Sequence, residues 1–344
     1  MAQDIDVFDE ATDRRGLFVP TLSARAEHWP LAAAFVISRG AKTEAEVVVA
    51  EVVEGRWHGR GEAVPYGRYG ETVAGVLDQI NGIGALIEGG LDRQGLQEWL
   101  PPGAARNALD CALWDMEAKQ AGVRAWMLAG RGRLDPVKTC FTISLGSMEE
   151  MAATARVNAR RPMLKLKIGG ADDLDAVAAV RAAAPRTRLI LDANESLNFE
   201  DLRRLAPAFS RLDVRLLEQP LPAGGDEELE GYESPIPLCA DESLHTRAEL
   251  AACARRYAMV NVKLDKTGGL TEAMALVAEA RAKGVGLMVG CMVATSLAMA
   301  PAMILAQDAD VVDLDGPLLL TRDRDPGLTI IGSIIEPPRP ELWG

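Results

Sequence analysis

A chain of 344 residues has room for a (β/α) barrel of about 250 residues and a smaller second domain. With 48% apolar and 25% charged residues the composition is that of a globular chain and excludes a disordered or fibrous one. A net charge of −13 excludes nucleic acid as a partner, because phosphate binding needs a basic face.

Residues 1–20 are acid-rich with little periodicity and read as a flexible tail. The opening MAQDIDVFDEATD has neither the basic nor the apolar region of a secretory signal. Residues 21–136 read as a small α+β domain. EVVVAEVV, from Glu46 to Val53, is β-branched and reads as an antiparallel strand. GRWHGRGEAVPYGRYGET reads as a turn and a long loop. Two helices follow, TVAGVLDQINGIGALIEG and AARNALDCALWDMEAKQAG, the second stopped by Gly122. This second helix is assigned to core packing, with its Asp110, Asp115 and Glu117 solvated or capping.

From about Lys138 the pattern changes. KTCFTISL, MLKLKI, TRLILDA, VRLLEQP, IPLCADE, MVNVKLD, VGLMVG and ADVVDLD are eight short apolar runs, separated by helix-like segments such as LTEAMALVAEARAKG. Strands alternating with helices imply a parallel sheet, and eight of them imply a closed barrel over 137–317. Residues 318–344 hold no full last helix and are expected to return to the first domain. No uncharged apolar run reaches the roughly 18 residues of a membrane span. The longest stretch, VGLMVGCMVATSLAMAPAMILA, is interrupted by glycines and Pro301 and reads as a buried strand, a loop and a core helix. The five cysteines, Cys111, Cys140, Cys239, Cys253 and Cys291, form no C-x-x-C pair and fit a reducing, cytoplasmic setting.

Chemistry gathers at the ends of these runs. Lys165 and Lys167 close MLKLK, Asp192 closes LILD, Glu218 closes VRLLE, Asp241 follows PLCA and Lys263 follows MVNV. From Asp192 onward the steps are about 26, 23 and 22 positions, one strand plus one helix each, and barrel enzymes keep their reacting groups at the C-terminal strand ends. Asp192, Glu218 and Asp241 offer hard oxygen ligands suited to Mg²⁺. The three histidines form no ligand pair. The chemistry implied is removal of a proton α to a carboxylate, with a metal stabilising the charge on the oxygens. The base is a lysine made neutral by burial and a neighbouring cation. Lys165 and Lys167, two apart on one strand, share a face, so Lys165 can lower the pKa of Lys167 and touch the substrate carboxylate. Lys263 arrives from the far side. Single strand-end charges are commonly salt-bridged; an ordered set at barrel spacing is not explained that way.

KLK, LDANES, LLEQP, ADES and VKLDKTGG resemble the metal and base motifs of the enolase superfamily, in its muconate-lactonizing-enzyme-like subgroup. The resemblance implies a modified TIM barrel, (β/α)7β, under an N-terminal α+β capping domain completed by the C-terminal tail. It implies Lys167 and Lys263 as bases on opposite faces of one carbon and one Mg²⁺ per subunit on Asp192, Glu218 and Asp241. VVDLDGP, with Asp313 and Asp315, and GCM, ending at Met292, resemble dipeptide epimerases, in which the D-x-D pair holds the substrate's free ammonium. ISRGAKTEAEVVV, with Arg39 and Lys42 on a loop between strands, and PYGRYGE, with Tyr66, Arg68 and Tyr69, resemble that family's specificity loops. Their positive charge suits a glutamate side chain, although the family typically carries arginine at the position of Lys42, which lacks arginine's bidentate fork. Asp265 is expected beside Lys263 or a neighbouring lysine, orienting it. The expected activity is inversion of the second residue of L-Ala-D/L-Glu-like dipeptides by two-base proton transfer through a metal-bound enediolate. The partner is then a small dipeptide, with neither membrane nor nucleic acid. Symmetric homo-oligomers are common, and no segment sets a subunit number. Other second residues, racemisation of N-acylated amino acids and β-elimination of the o-succinylbenzoate synthase type are the alternatives.

Overall fold

The computed structural model describes residues 19–344; the expected tail, except its last two residues, lies outside them. Strands β1 (Thr21–Ile37) and β2 (Gly40–Glu54) form a long antiparallel hairpin, with His28 opposite Glu46 and Phe35 opposite Lys42. The register slips between Pro30 and Phe35. Val48, Ala50 and Val52 pack into the helices of the small domain, while Val47 and Val49 pack into the core shared with the barrel. Both faces of β2 are covered, which explains a near-continuous apolar run where alternation would mark a one-sided strand.

Strand β3 (Trp57–Ala63) pairs with β2, within a segment read from sequence as turn and loop. The glycines that gave that reading serve close packing. A side chain at Gly59 would come within 2.2 Å of Ala112 O, and one at Gly61 within 2.1 Å of Ala108 O. Both oxygens belong to helix α4 (Ala104–Ala121), which lies directly on β3 and ends at Gly122 in the left-handed region. Before it come α1 (Val73–Gly82), α2 (Gly84–Glu88) and α3 (Arg93–Trp99); α1 and α2 divide at Ile83 what the periodicity predicts as one helix. The short α5 (Ala125–Leu128) and β4 (Val137–Lys138) lead into the barrel.

The barrel strands are β5 (Phe141–Ile143), β6 (Met163–Lys167), β7 (Arg188–Asp192), β8 (Val214–Glu218), β9 (Leu238–Ala240), β10 (Met259–Val262), β11 (Gly286–Gly290) and β12 (Val311–Asp313). They lie parallel and in sequence order. Cys140 N donates to Val312 O at 2.9 Å, joining last strand to first. Ile190, Leu216, Cys239 and Met288 form a small cluster of their own inside it. Asp192, Glu218, Asp241 and Gly290 each stand two positions beyond one of these four, on the same inward face but one step nearer the mouth.

The crossovers are α6 (Met148–Val157), α7 (Leu174–Ala183), α8 (Phe199–Arg211), α9 (Arg247–Arg256), α10 (Leu264–Thr267) with α11 (Leu270–Ala282), and α12 (Ser296–Ala306). Between β8 and β9 the chain makes only a 3₁₀ turn, Glu227–Leu229, because PLPAGGDEELEGYESPIP is too rich in proline and glycine for a helix. α12 is buried on every side, as its unbroken apolar sequence requires. Past the barrel, β13 (Ile330–Ile331) pairs with β14 (Ile334–Ile335), which pairs with β4. Trp343 Nε1 then donates to Cys111 O at 3.0 Å and Gly344 N to Asp115 Oδ1 at 2.7 Å. Arg324 pairs with Glu27 and Glu62, each at 2.6 Å. The C-terminal segment thus binds the small domain to the barrel.

Candidate active site

Above the C-terminal strand ends lies a cavity of about 490 Å³, in the range of small-molecule sites. Its floor is barrel: Lys165, Lys167, Asp241, Lys263, Met292, Asp313 and Asp315. Its roof is the β1–β2 hairpin and the loop after β3: Phe35, Ile37, Arg39, Lys42, Tyr66, Arg68 and Tyr69.

The strand register brings Lys167 opposite Asp192, and Asp192 opposite Glu218. Lys165 is almost wholly buried and reaches three carboxylates: Glu218 Oε2 and Asp313 Oδ2 at 2.7 Å, and Asp192 Oδ2 at 3.0 Å. Lys167 Nζ lies 2.6 Å from the same Asp192 Oδ2. On the opposite wall Asp241 is shared by two lysines, Lys263 on Oδ2 and Lys266 on Oδ1, both at 2.6 Å. Asp192 and Glu218 lie beneath the lysines and do not reach the cavity surface.

Burial favours a neutral lysine, but Asp241, with Glu218 behind it, reverses that for Lys263 and holds it well above its usual value. Lys165 is raised likewise, because Asp192, Asp313 and Glu218 outweigh its burial. Glu218 goes the other way: burial, then the nearby Asp192 charge, pushes its carboxyl up to about 7. Asp241 thus favours the charged form of Lys263.

Do these residues fit a metal? Among the described residues, the only group of possible ligands with all atoms within 4.8 Å is His28, Glu44 and Glu46, exposed on the small domain. Asp192, Glu218 and Asp241 do not form such a group, and a lysine ammonium lies against each of them. Their chemistry nevertheless suits a hard dication: three buried carboxylates on consecutive strand ends, and no donor aligned on Glu218 Oε2 despite Lys165 nearby.

Sequence reasoning missed the side chains that set this trio. Asn261 Nδ2 donates to Glu218 Oε1 at 2.7 Å. Gln219 accepts from Asp241 N at 2.8 Å and donates to Ser243 Oγ and Tyr257 OH. Asn194 and Glu195 take positive φ, a turn that lets Asn194 N donate to Asp192 Oδ1. Asn194 and Glu195 of LDANES, Gln219 of LLEQP and Ser243 of ADES lay inside motifs already singled out; Asn261 and Tyr257 lay outside the motifs that carry the resemblance.

Asp313 is fully engaged, accepting from Cys140 Sγ at 2.8 Å and Lys165 at 2.7 Å. Asp315 accepts from Thr142 N at 2.6 Å. Burial, then the Asp313 charge, pushes the Asp315 carboxyl up to about 7. A second cation beside this pair would be stabilised. Arg39 is already spoken for, by Glu242 at 2.7 Å, Glu195 at 3.0 Å and Tyr66 OH at 3.0 Å. Arg68 binds Glu195 bidentately. Lys42 lies on β2, not on a loop; among the described residues it makes no ion pair and sits 5.7 Å from the Tyr66 ring centroid. Cys291 lines the cavity, but burial pushes its thiol far up, so it is no nucleophile.

Asp265 is not beside a lysine and does not line the cavity. Its Oδ1 accepts from Val64 N at 2.9 Å and Asn107 Nδ2 at 3.0 Å, because the α10 turn aims it at the small domain. Asp110 is likewise buried, capping α11 through Thr271 N at 2.9 Å.

Residues 147–326 match the family model for enolase C-terminal domain-like proteins. Residues 20–130 match the N-terminal domain of mandelate racemase and muconate lactonizing enzyme. The chain belongs to this mandelate racemase/muconate lactonizing enzyme family of the enolase superfamily. Among its relatives, the L-Ala-D/L-Glu epimerase of Escherichia coli K12 is 46% identical over 90% of this chain and 97% of its own. An N-acetyl-D-glutamate racemase of Pseudoalteromonas is 41% identical over 87% and 95%. A family member from Agrobacterium tumefaciens with homology to dipeptide epimerases, solved with sodium and L-Ala-L-Glu, superposes with a TM-score of 0.93. It is 50% identical, covering 94% of this chain and 100% of its own.

Proposed function

We propose that the protein is a Mg²⁺-dependent epimerase that inverts the α-carbon of the second residue of L-Ala-D/L-Glu-type dipeptides. One observation carries the reading. Lys167 on β6 and Lys263 after β10 come from strands four apart in a barrel of eight, so they face each other across the cavity with the carboxylates between them.

Members of the enolase superfamily pair a lysine or histidine base with one or two Mg²⁺ ions. Asp192, Glu218 and Asp241 would hold one such ion per subunit. When bound, it would supply charge stabilisation to the substrate carboxylate. This chain's own residues do the rest. Lys165 steadies the substrate carboxylate. One of Lys167 and Lys263 takes the α-proton and the other, charged, returns a proton to the opposite face. The hairpin roof excludes water. Lys42, which among the described residues makes no ion pair, meets the side-chain carboxylate of the second residue.

A racemase of N-acetylated glutamate would handle the same reacting carbon. The difference lies at the amine: alanine brings an ammonium to Asp313 and Asp315, and an acetyl group brings no charge. The two buried acids favour the dipeptide. A cytoplasmic setting in recycling of cell-wall peptides accords with five unpaired cysteines. Turnover of L-Ala-L-Glu measured against N-acetyl-glutamate tests the reading: preference for the acetylated substrate would overturn it.

A further inference from the structure

Lys263 and Lys266 belong to one short segment, running from the end of β10 through the α10 turn into α11. One face of α4, a helix of the small domain, grips this segment. Asn107 Nδ2 donates to Asp265 at 3.0 Å, and Arg106 donates to Thr267 O at 2.7 Å and Gly268 O at 3.1 Å. Asp110 accepts from Thr271 N at 2.9 Å. Gly268 and Gly269 make the fit possible. Both take positive φ, and a Cβ on either would come within 2.5 Å of Arg106 or Asp110. Arg106 spends its guanidinium on backbone carbonyls alone, which is consistent with holding a chain path and not balancing a charge.

The other base is supported differently. Lys167 lies within β6, between β5 and β7, and the next residue's N–H donates to Asp192 O inside the barrel. Lys263 lies one residue past its strand, where the sheet no longer fixes it. Its alignment depends on what holds the turn behind it. Asp265 is the side chain in that turn that faces the small domain, and the same Oδ1 also accepts from Val64 N, whose residue lines the cavity roof.

We infer that Asp265 is a positioning residue for Lys263, carrying the hold of the small domain through Asn107 and Val64 onto the turn that aims this one base. Loss of the contact misaligns Lys263 and leaves Lys167 in place. The inference rests on the two-base reading above.

The test follows the α-proton of both epimers of Ala-Glu in D₂O, with the Mg²⁺-loaded enzyme. Lys263→Ala is the reference: it should abolish inversion and keep exchange on only the epimer whose proton faces Lys167. If it keeps exchange on both epimers, or on neither, the two-base reading fails, whatever Asp265 does. Given the expected reference, Asp265→Ala should lower inversion and Lys263-face exchange by roughly 10- to 100-fold, the scale of an ångström-sized misplacement. Lys167-face exchange and KM should stay within about twofold. Asp265→Asn keeps an oxygen for both donors and should restore Lys263-face exchange. Equal slowing of both faces, a change in KM alone, or wild-type exchange on both would overturn the assignment. If Asp265→Ala does not fold, Asn107→Ala removes one of the two donors and should show the same one-sided defect in smaller measure; a symmetric defect there overturns the assignment too.

Discussion

Lys165 Nζ stands 2.7 Å from Glu218 Oε2, and both side chains are buried at the floor of the cavity. Lysine and carboxylate neutralise each other at the place where a dication would be held. Removing the Glu218 charge leaves Lys165 with less compensation and the ion with one anionic ligand fewer. Glu218→Gln should weaken Mg²⁺ binding by more than the roughly 10- to 100-fold typical of losing an outer partner. Calorimetric titration of the metal checks this, and wild-type affinity in the variant would remove Glu218 from the metal site. EDTA should abolish turnover of the wild type, and Mg²⁺ should restore it.

Lys42 and Arg39 are both cations of the cavity roof, but among the described residues only Arg39 is held by carboxylates. Their substitutions should therefore differ. Lys42→Met should raise KM for L-Ala-L-Glu by roughly 10- to 100-fold, the scale of one charged hydrogen bond of about 1.5–3 kcal/mol. KM for L-Ala-L-Met should hardly move. Lys42→Arg should bind Ala-Glu at least as well, because arginine adds a fork. Equal losses on both dipeptides would show that Lys42 does not touch the side chain.

Asp315 is the acid of the D-x-D pair not tied to Lys165. Asp315→Asn should cut kcat/KM for Ala-Glu by about 100-fold or more, since a desolvated ammonium would lose its counter-charge. Any activity on N-acetyl-glutamate should survive. Steady-state kinetics on the two substrates decides it; a loss confined to the acetylated one would reverse the choice between amine and amide.

Asp110 is fully buried, and burial pushes its carboxyl up to about 6 from 3.8. The folded protein holds a proton there that the unfolded chain gives up. Its contribution to stability is thus full at low pH and is lost as pH rises through about 6. Asp110→Asn removes this one titration. As pH rises from about 4 to 6, the midpoint of thermal unfolding should fall less, or rise more, in the variant than in the wild type. Parallel curves would mean that Asp110 does not bind that proton.

Much of this was legible in the sequence because barrel chemistry sits at strand ends and strand ends announce themselves. MLKLK, LILD and VRLLE are short strand-like runs that stop on a charge, and their even spacing tells which ends meet. β3 was not legible: Gly59 and Gly61 look like loop residues until α4 is placed against them. Asp265 was misplaced for a related reason, since sequence proximity to Lys263 says nothing of which way a turn points. The charge of Lys263 depends on Asp241, a partner from another strand, and spacing alone does not show that contact. Lys42 could be found by its sign, but that Arg39 is held by Glu242 and Glu195 while Lys42 makes no ion pair among the described residues is visible only in the fold.

The opposed lysines are tested most directly by proton NMR of the protein with L-Ala-L-Glu in D₂O and Mg²⁺, with EDTA as control. The expected result is loss of the glutamate α-proton signal while deuterated L-Ala-D-Glu accumulates, both stopped by EDTA. Exchange with Mg²⁺ but without inversion would contradict delivery of a proton from the second face. No exchange with Ala-Glu, under conditions where N-acetyl-glutamate exchanges, would contradict the dipeptide assignment itself.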